Sequence, residues 1–464
     1  MAIRGSWFGQ VGTTLVLTLA LLAASCAPEQ NDESAAREWS PETFTLDNGM
    51  EVVVLPDHRV PVVTHMVWYR VGAGDEPAGQ SGIAHFLEHL MFKGSGDLGP
   101  GEFSEIIAAN GGVSNAFTSW DYTAYFQRVA LDRLEMMMQL EADRMTLLNV
   151  PDDHFYSERD VILEEIRISE QDIDRIMDRQ MAAVLWPEHP YGVAIGGWSY
   201  EVDNLELEDL MAFYQMWYAP NNAILVVAGD ITAEELRPLA EATYGQIPAR
   251  DVAERMRSMD PPPLAARRLE LSHELAGQRE LHRYYKAPSM RTGGLETAAA
   301  LSVGLSIFDG GTSEWLYRAL VIERGLATTA GGYYWGTTRD DGQIAVYAVP
   351  NEGVSFDELE AAIDEVIAAY LAEGPTEEQL TRTKTQTLAS AIYAQDDQAT
   401  MARIFGGGLA AGRTIDQILG WSDAIEAVSS DDVRAALAEV LVPANSVTGT
   451  LSPISSDTIT GEGE

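Results

Sequence analysis

The stretch Ser81-Gly82-Ile83-Ala84-His85-Phe86-Leu87-Glu88-His89-Leu90-Met91-Phe92 sets two histidines and a glutamate among apolar residues at Ile83, Phe86, Leu87, Leu90 and Met91. The apolar spacing predicts a helix whose other face carries His85, Glu88 and His89. Side chains three and four positions apart on a helix stand about 5–6 Å apart at Cβ, so two imidazoles and a carboxylate converge on one point. Neutral imidazole is a preferred zinc ligand, and a pair on one helical turn holds an ion with little ordering cost. Glu88 lies between them, placed to take a proton from an activated water. A catalytic zinc needs a third protein ligand and one open position. A solvated helix face with two histidines would show the same spacing, and the motif alone does not separate the two readings.

The elements that must carry such a site are also legible. Alternating apolar stretches from Met50 to Leu55 and Pro61 to Val71, helical periodicities and a strand-like run from Ala223 to Ala228 predict an α+β fold. The segment from Leu205 to Asp230 aligns without gaps on Val428 to Pro453: Pro220 and Pro443 stand 223 residues apart, as do Asn222 and Asn445. A helix, a Pro-Asn turn and a strand thus recur at half-chain distance, which predicts two homologous α/β halves, each a mostly antiparallel sheet packed with helices. The expected layout is a first half over 43–250, a Pro-rich linker over 251–268, a second half over 269–455 and a frayed tail over 456–464. The prolines Pro261, Pro262 and Pro263 are read as a stiff, extended connector between solvated Arg-rich flanks.

Residues 1–25 have the layout of a signal peptide, with Arg4 ahead of a short apolar run and Ala23, Ala24 and Ser25 closing it. Cys26, the single cysteine among 464 residues, follows directly. Leu22 to Cys26 resembles a bacterial lipobox, with Ala23 where that pattern usually has Leu. The resemblance implies lipidation of Cys26, a tether over 26–42, a periplasmic location and, with Ala27 next, anchorage to the outer membrane. One cysteine excludes a disulfide framework within the chain and a multi-cysteine zinc site. Acidic residues outnumber basic ones 71 to 30, for a formal charge of −41, and no basic cluster offers the face that phosphate neutralisation requires. Nucleic acid is not an expected partner. The acidity is read as solubility outside the cytoplasm rather than attraction of basic peptides.

Around the histidine motif the chain resembles the pitrilysin, or insulinase-like, inverzincin metallopeptidases of the processing-peptidase type. The resemblance rests on Gly82 through Gly94, Asn115-Ala116-Phe117-Thr118, Glu158 through Ile166, His189-Pro190-Tyr191-Gly192 and Trp217 through Asn222, in that order. It implies one Zn2+ per chain, held by His85, His89 and a glutamate on a second helix, with Glu88 as the catalytic base. Glu165, 76 residues past His89, takes the third-ligand role, with Glu164 as the second choice. Glu158, seven positions before Glu165, takes the supporting role. Asn115 and Ala116 match the family's edge strand, where an extended peptide adds itself by backbone hydrogen bonds. His189 and the other histidines are read as structural or surface residues.

Members of that family that act alone carry an Arg and a Tyr around a basic-Gly-Leu-Ala phrase in the second half. The phrase stands here as Arg324-Gly325-Leu326-Ala327, but the Arg position is Val321 and the Tyr position is Thr328, with Arg318, Tyr333 and Tyr334 nearby. The resemblance therefore implies a zinc-bearing subunit that acts on unfolded peptides with a homologous partner lacking zinc and supplying the Arg and Tyr. A homodimer and an active single chain are the other arrangements. A noncatalytic assembly or peptide-binding lipoprotein of the same fold is the alternative function.

Overall fold

Short runs rich in valine, isoleucine and aromatic residues become strands of two mixed sheets, as such residues pack well on a pleated surface. The computed structural model describes residues 39–454 apart from Gly310, Thr312 and Ser313. The signal segment, Cys26 with most of the tether, and the tail at 456–464 lie outside the described residues. The first sheet comprises β1 (Glu42–Thr45), β2 (Glu51–Pro56), β3 (Val62–Tyr69), β4 (Val113–Thr118), β5 (Thr123–Ala130) and β6 (Ala223–Gly229), in the order β1-β2-β6-β3-β5-β4. The second comprises β7 (Arg267–His273), β8 (Glu280–Ala287), β9 (Ala327–Trp335), β10 (Gly342–Pro350) and β11 (Ser446–Pro453), in the order β7-β11-β8-β10-β9. Every neighbouring pair is antiparallel except β2–β6 and β7–β11.

The internal repeat is therefore topological as well as sequential. Helix Leu207–Trp217, the turn Pro220–Asn222 and β6 recur as helix Ser430–Val440, the turn Pro443–Asn445 and β11. Both asparagines do the same job: Asn222 Nδ2 donates to the Trp217 carbonyl at 2.9 Å, and Asn445 Nδ2 to the Val440 carbonyl at 3.2 Å. Each satisfies a helix-end carbonyl that would otherwise lack a partner.

Each sheet is covered on one face by its own half and on the other by a helix from the opposite half. Met401, Ala402, Phe405 and Leu409 of helix Gln398–Ala410 bury Val53, Met66, Trp68 and Val226 of the first sheet. Met177, Met181 and Leu185 of helix Ile173–Leu185 bury Tyr284, Ala345, Val447 and Leu451 of the second. This exchange explains why β6 is buried along its whole length and reads as an unbroken apolar run. Close approach needs glycine: a Cβ on Gly406 would sit 2.1 Å from Trp68 Nε1. Gly406→Ala is expected to cost about 1–3 kcal/mol of stability by overpacking, measurable as a lowered denaturant midpoint.

The linker corrects one expectation. Residues 251–266 form no helix or strand, but the arginines on their N-terminal side are not solvated. The side chains of Arg255 and Arg257 are 8% and 4% exposed, paired with Asp75, Asp121 and Asp340. A guanidinium tolerates such burial only when carboxylates and hydrogen bonds replace its water, and those partners come from far along the chain.

Candidate active site

Helix Ile83–Leu90 buries Ile83, Phe86, Leu87 and Leu90 in the first core, as its spacing predicts, and turns His85 and His89 towards a second helix, Asp152–Ser169. Its N-terminus is held by the half-buried Glu76, whose carboxylate accepts from the Gly82 and Ala84 amides at 2.9 and 3.0 Å. Nothing in the sequence spacing points to Glu76.

Glu165 Oε2 lies 3.8 Å from Nε2 of both His85 and His89, and one donor atom from each residue falls within 4.8 Å of the others. Bonds of about 2.1 Å in a tetrahedral zinc site place ligand atoms about 3.4 Å apart, so the two glutamate–histidine separations need only a few tenths of an ångström of contraction and the widest separation about an ångström more to close the set around an ion. The donor chemistry fits as well. Burial, reinforced by the neighbouring His89, pushes the His85 imidazolium down to about 4, which keeps the ring neutral. Glu164 points away and pairs with Arg167 on the exposed side of its helix.

His89 Nδ1 lies 2.8 Å from Glu158 Oε1, and Lys93 Nζ lies 2.5 Å from Glu158 Oε2. A ring that donates from Nδ1 to a carboxylate presents the Nε2 lone pair to the metal position. Burial alone would raise the Glu158 carboxyl, but the His89 and Lys93 contacts hold it below the ordinary range. His85 has no such support, since its Nδ1 is buried without a hydrogen-bond partner. Glu158→Gln is accordingly expected to weaken zinc affinity by about 10–100-fold without removing a ligand, checked by competition with a chelating dye.

Glu88 is buried beside this set, and burial raises its carboxyl above the ordinary value against the opposing hydrogen bond from Thr118. Thr118 Oγ1 donates to Glu88 Oε2 at 2.6 Å, which leaves Oε1 to exchange a proton. Thr118 closes the Asn-Ala-Phe-Thr phrase, yet sequence reasoning assigned it no role. Asn115 and Ala116 lie on β4, which pairs only with β5 and so forms a free sheet edge. Asn115 Oδ1 accepts from the Ala116 amide at 2.9 Å.

His85, Glu88, Ala116, Thr118 and Glu165 open onto a cavity of about 730 Å³, closed on its far side by Tyr284, Tyr333, Trp335 and Gln343 of the second half. Tyr333 thus faces the cavity, whereas the Tyr334 hydroxyl donates to the Pro288 carbonyl at 2.5 Å. Val321 packs against the second core, Thr328 lies exposed on β9, and Arg318 pairs with Glu323 at 3.3 Å. His189 is buried, with Nδ1 accepting from the Tyr191 amide. His65 is buried between Gln127 and Tyr244.

The second half has no equivalent ligand set among its described residues. Helices Asp152–Ser169 and Glu377–Ala394 are both 18 residues long and lie in corresponding places. Counted from the helix starts, Thr383 and Ser390 stand where Glu158 and Glu165 stand in the first.

Comparison with known proteins agrees with this asymmetry. A family model described as Insulinase (Peptidase family M16) matches residues 51–197, and one described as Peptidase M16 inactive domain matches residues 204–387. The zinc protease PqqE of Helicobacter pylori is 30% identical over 369 residues, covering 78% of this chain and 82% of that protein. The crystal structure of a protease from Helicobacter pylori superposes with a TM-score of 0.83 at 27% identity, covering 89% of this chain and 100% of that one. The periplasmic protease PqqL of Escherichia coli shares the fold at a TM-score of 0.77 and 19% identity, with 92% of this chain covering 50% of that one. From the match of both halves and the similarity to PqqE along most of its length, this chain belongs to the insulinase family of peptidases, family M16.

Proposed function

We propose that this chain is the zinc-bearing subunit of an endopeptidase that hydrolyses unfolded peptides in the bacterial cell envelope. The single observation that carries the reading is the meeting of His85, His89 and Glu165 beside the buried carboxylate of Glu88. His85, His89 and Glu165 would hold the ion, with Glu158 fixing the His89 tautomer. Bound there, Zn2+ supplies a Lewis acid for the scissile carbonyl and lowers the pKa of water to about 7. Glu88 accepts the proton of the attacking water on Oε1 and returns it to the leaving amine nitrogen. Thr118 keeps that carboxylate aimed during both transfers. The free edge of β4 at Asn115 and Ala116 receives the peptide as an added strand, which reads backbone shape more than side chains.

Val321 has no side-chain donor and the Thr328 hydroxyl turns to the Val349 carbonyl at 3.4 Å, so the Arg and Tyr that would meet a developing oxyanion are assigned to a homologous partner subunit without zinc. The half-length coverage of PqqL supports this, since that protein carries about as much chain again. The signal-peptide layout of residues 1–25 and the lipobox resemblance at Cys26 support a periplasmic enzyme anchored by lipid to the outer membrane. The test is zinc content together with cleavage of a quenched, unstructured peptide, by the chain alone and mixed with a homologous non-zinc chain. Stoichiometric zinc with chelator-sensitive cleavage is the expected result. Stoichiometric zinc without cleavage in any mixture would favour the noncatalytic reading.

A further inference from the structure

The linker that joins the halves also grips the turns that wall the cavity. Arg257 uses its whole donor fork. Nε and Nη2 grip Asp75 at 3.0 Å each, and Nη1 reaches Asp121 Oδ1 at 2.6 Å and Asp340 Oδ2 at 2.9 Å. Nη2 also donates to the Trp120 carbonyl at 3.0 Å. Arg255 reinforces the grip, donating to Asp75 and to the Asp121 carbonyl. Asp75 directly precedes Glu76, which holds the metal-binding helix, Asp121 lies in the β4–β5 turn, and Asp340 lies in the β9–β10 turn of the second half.

The same turns build one wall of the cavity. Trp120, Tyr191 and Trp335 all line it, with ring centroids 5.1 Å apart for Trp120–Trp335 and 5.9 Å for each of them with Tyr191. The Tyr191 hydroxyl donates to Asp121 Oδ1 at 2.7 Å and accepts from the Asp340 amide at 3.2 Å. The Arg339 amide and His189 Nε2 add contacts to Asp121 and Asp340. Carboxylates from both halves, and a wall made by both halves, thus share one guanidinium.

We propose that Arg257 is a positioning residue for peptide binding: by joining Asp75, Asp121 and Asp340 it fixes the Trp120–Tyr191–Trp335 wall across the two halves. The inference rests on the peptidase reading above. A network of this kind is rigid when every member is satisfied and loosens as a unit when one is not. Lysine would keep the charge but lose the fork that engages three carboxylates.

The test uses the full zinc-loaded chain carrying Glu88→Gln, so that a fluorescent unstructured peptide binds without being cut. Asp340→Asn is added, keeping the side chain's shape while removing the second half's charge. The expected result is unchanged zinc content, a peptide Kd raised roughly tenfold, and faster amide exchange rising together in residues 118–122, 189–193 and 336–342. Arg257→Lys should match it. If Arg257→Lys fails to fold, Asp340→Asn decides. A Kd within about twofold of the parent, or faster exchange confined to 336–342, overturns the proposal. A parent that binds no peptide defeats the peptidase reading instead. In that case the exchange pattern alone judges the clasp, and it must still rise in all three segments.

Discussion

Glu88→Gln is expected to lower peptide cleavage by about 10²- to 10⁴-fold, the range that a positioned proton-transfer group contributes, while zinc content stays stoichiometric. Glutamine has nearly the same shape, and its amide can still meet Thr118, which donates to Glu88 Oε2 at 2.6 Å. What it lacks is a site that accepts a proton from water and gives it back to the amine. Burial already lifts the Glu88 carboxyl above its ordinary range, which brings it closer to the working pH and makes it a better partner for both transfers. The measurement is kcat on a quenched peptide beside metal analysis of the same sample. Retained cleavage would remove Glu88 from the mechanism, and loss of zinc would make it a structural residue of the metal site instead.

Glu165→Gln is expected to act at the earlier step, weakening zinc affinity by at least about a hundredfold and removing activity with the metal. The lower bound follows from the effect of altering a mere supporting residue, about 10–100-fold. The substitution removes the anionic donor that stands 3.8 Å from both imidazoles. Glu165 lies half exposed at the cavity, so the fold should survive and far-ultraviolet circular dichroism should not change. Glu164→Gln is the matched control. It breaks only the surface pair with Arg167 and should leave zinc and cleavage at the parental level. Equal effects of the two substitutions would remove the two-helix metal site.

The contrast between these two glutamates shows where sequence reasoning stops. Their helix was legible, and so was the phrase that contains them, but helical period alone says only that they face about a hundred degrees apart. Which one meets the histidines depends on how that helix is rotated against Ile83–Leu90. Packing decides it, through Phe155, Ile162 and Ile166, which are buried in the shared core. Thr118 and Glu76 escaped notice for a related reason. Each acts on helix Ile83–Leu90 from a separate strand or turn, and neither residue type is unusual on a surface.

The linker was misjudged on the same ground. Arg255 and Arg257 sit next to a proline run that reads as solvent-exposed, and their three carboxylate partners lie 83 to 182 positions away. Composition supplies the charges without saying which of them meet.

By itself the sequence determined what is local or repeated: the His-x-x-Glu-His face, whose convergence follows from a 3.6-residue turn, the strands marked by short apolar runs, and the duplication that returns Pro220 and Asn222 as Pro443 and Asn445. Only the tertiary structure decided that Glu165 meets the two histidines, the hydrogen bond between Thr118 and Glu88, the exchange of covering helices between halves and the burial of the linker arginines. These all join segments distant in the chain. Their energies come from excluding water between surfaces that local periodicity does not pair.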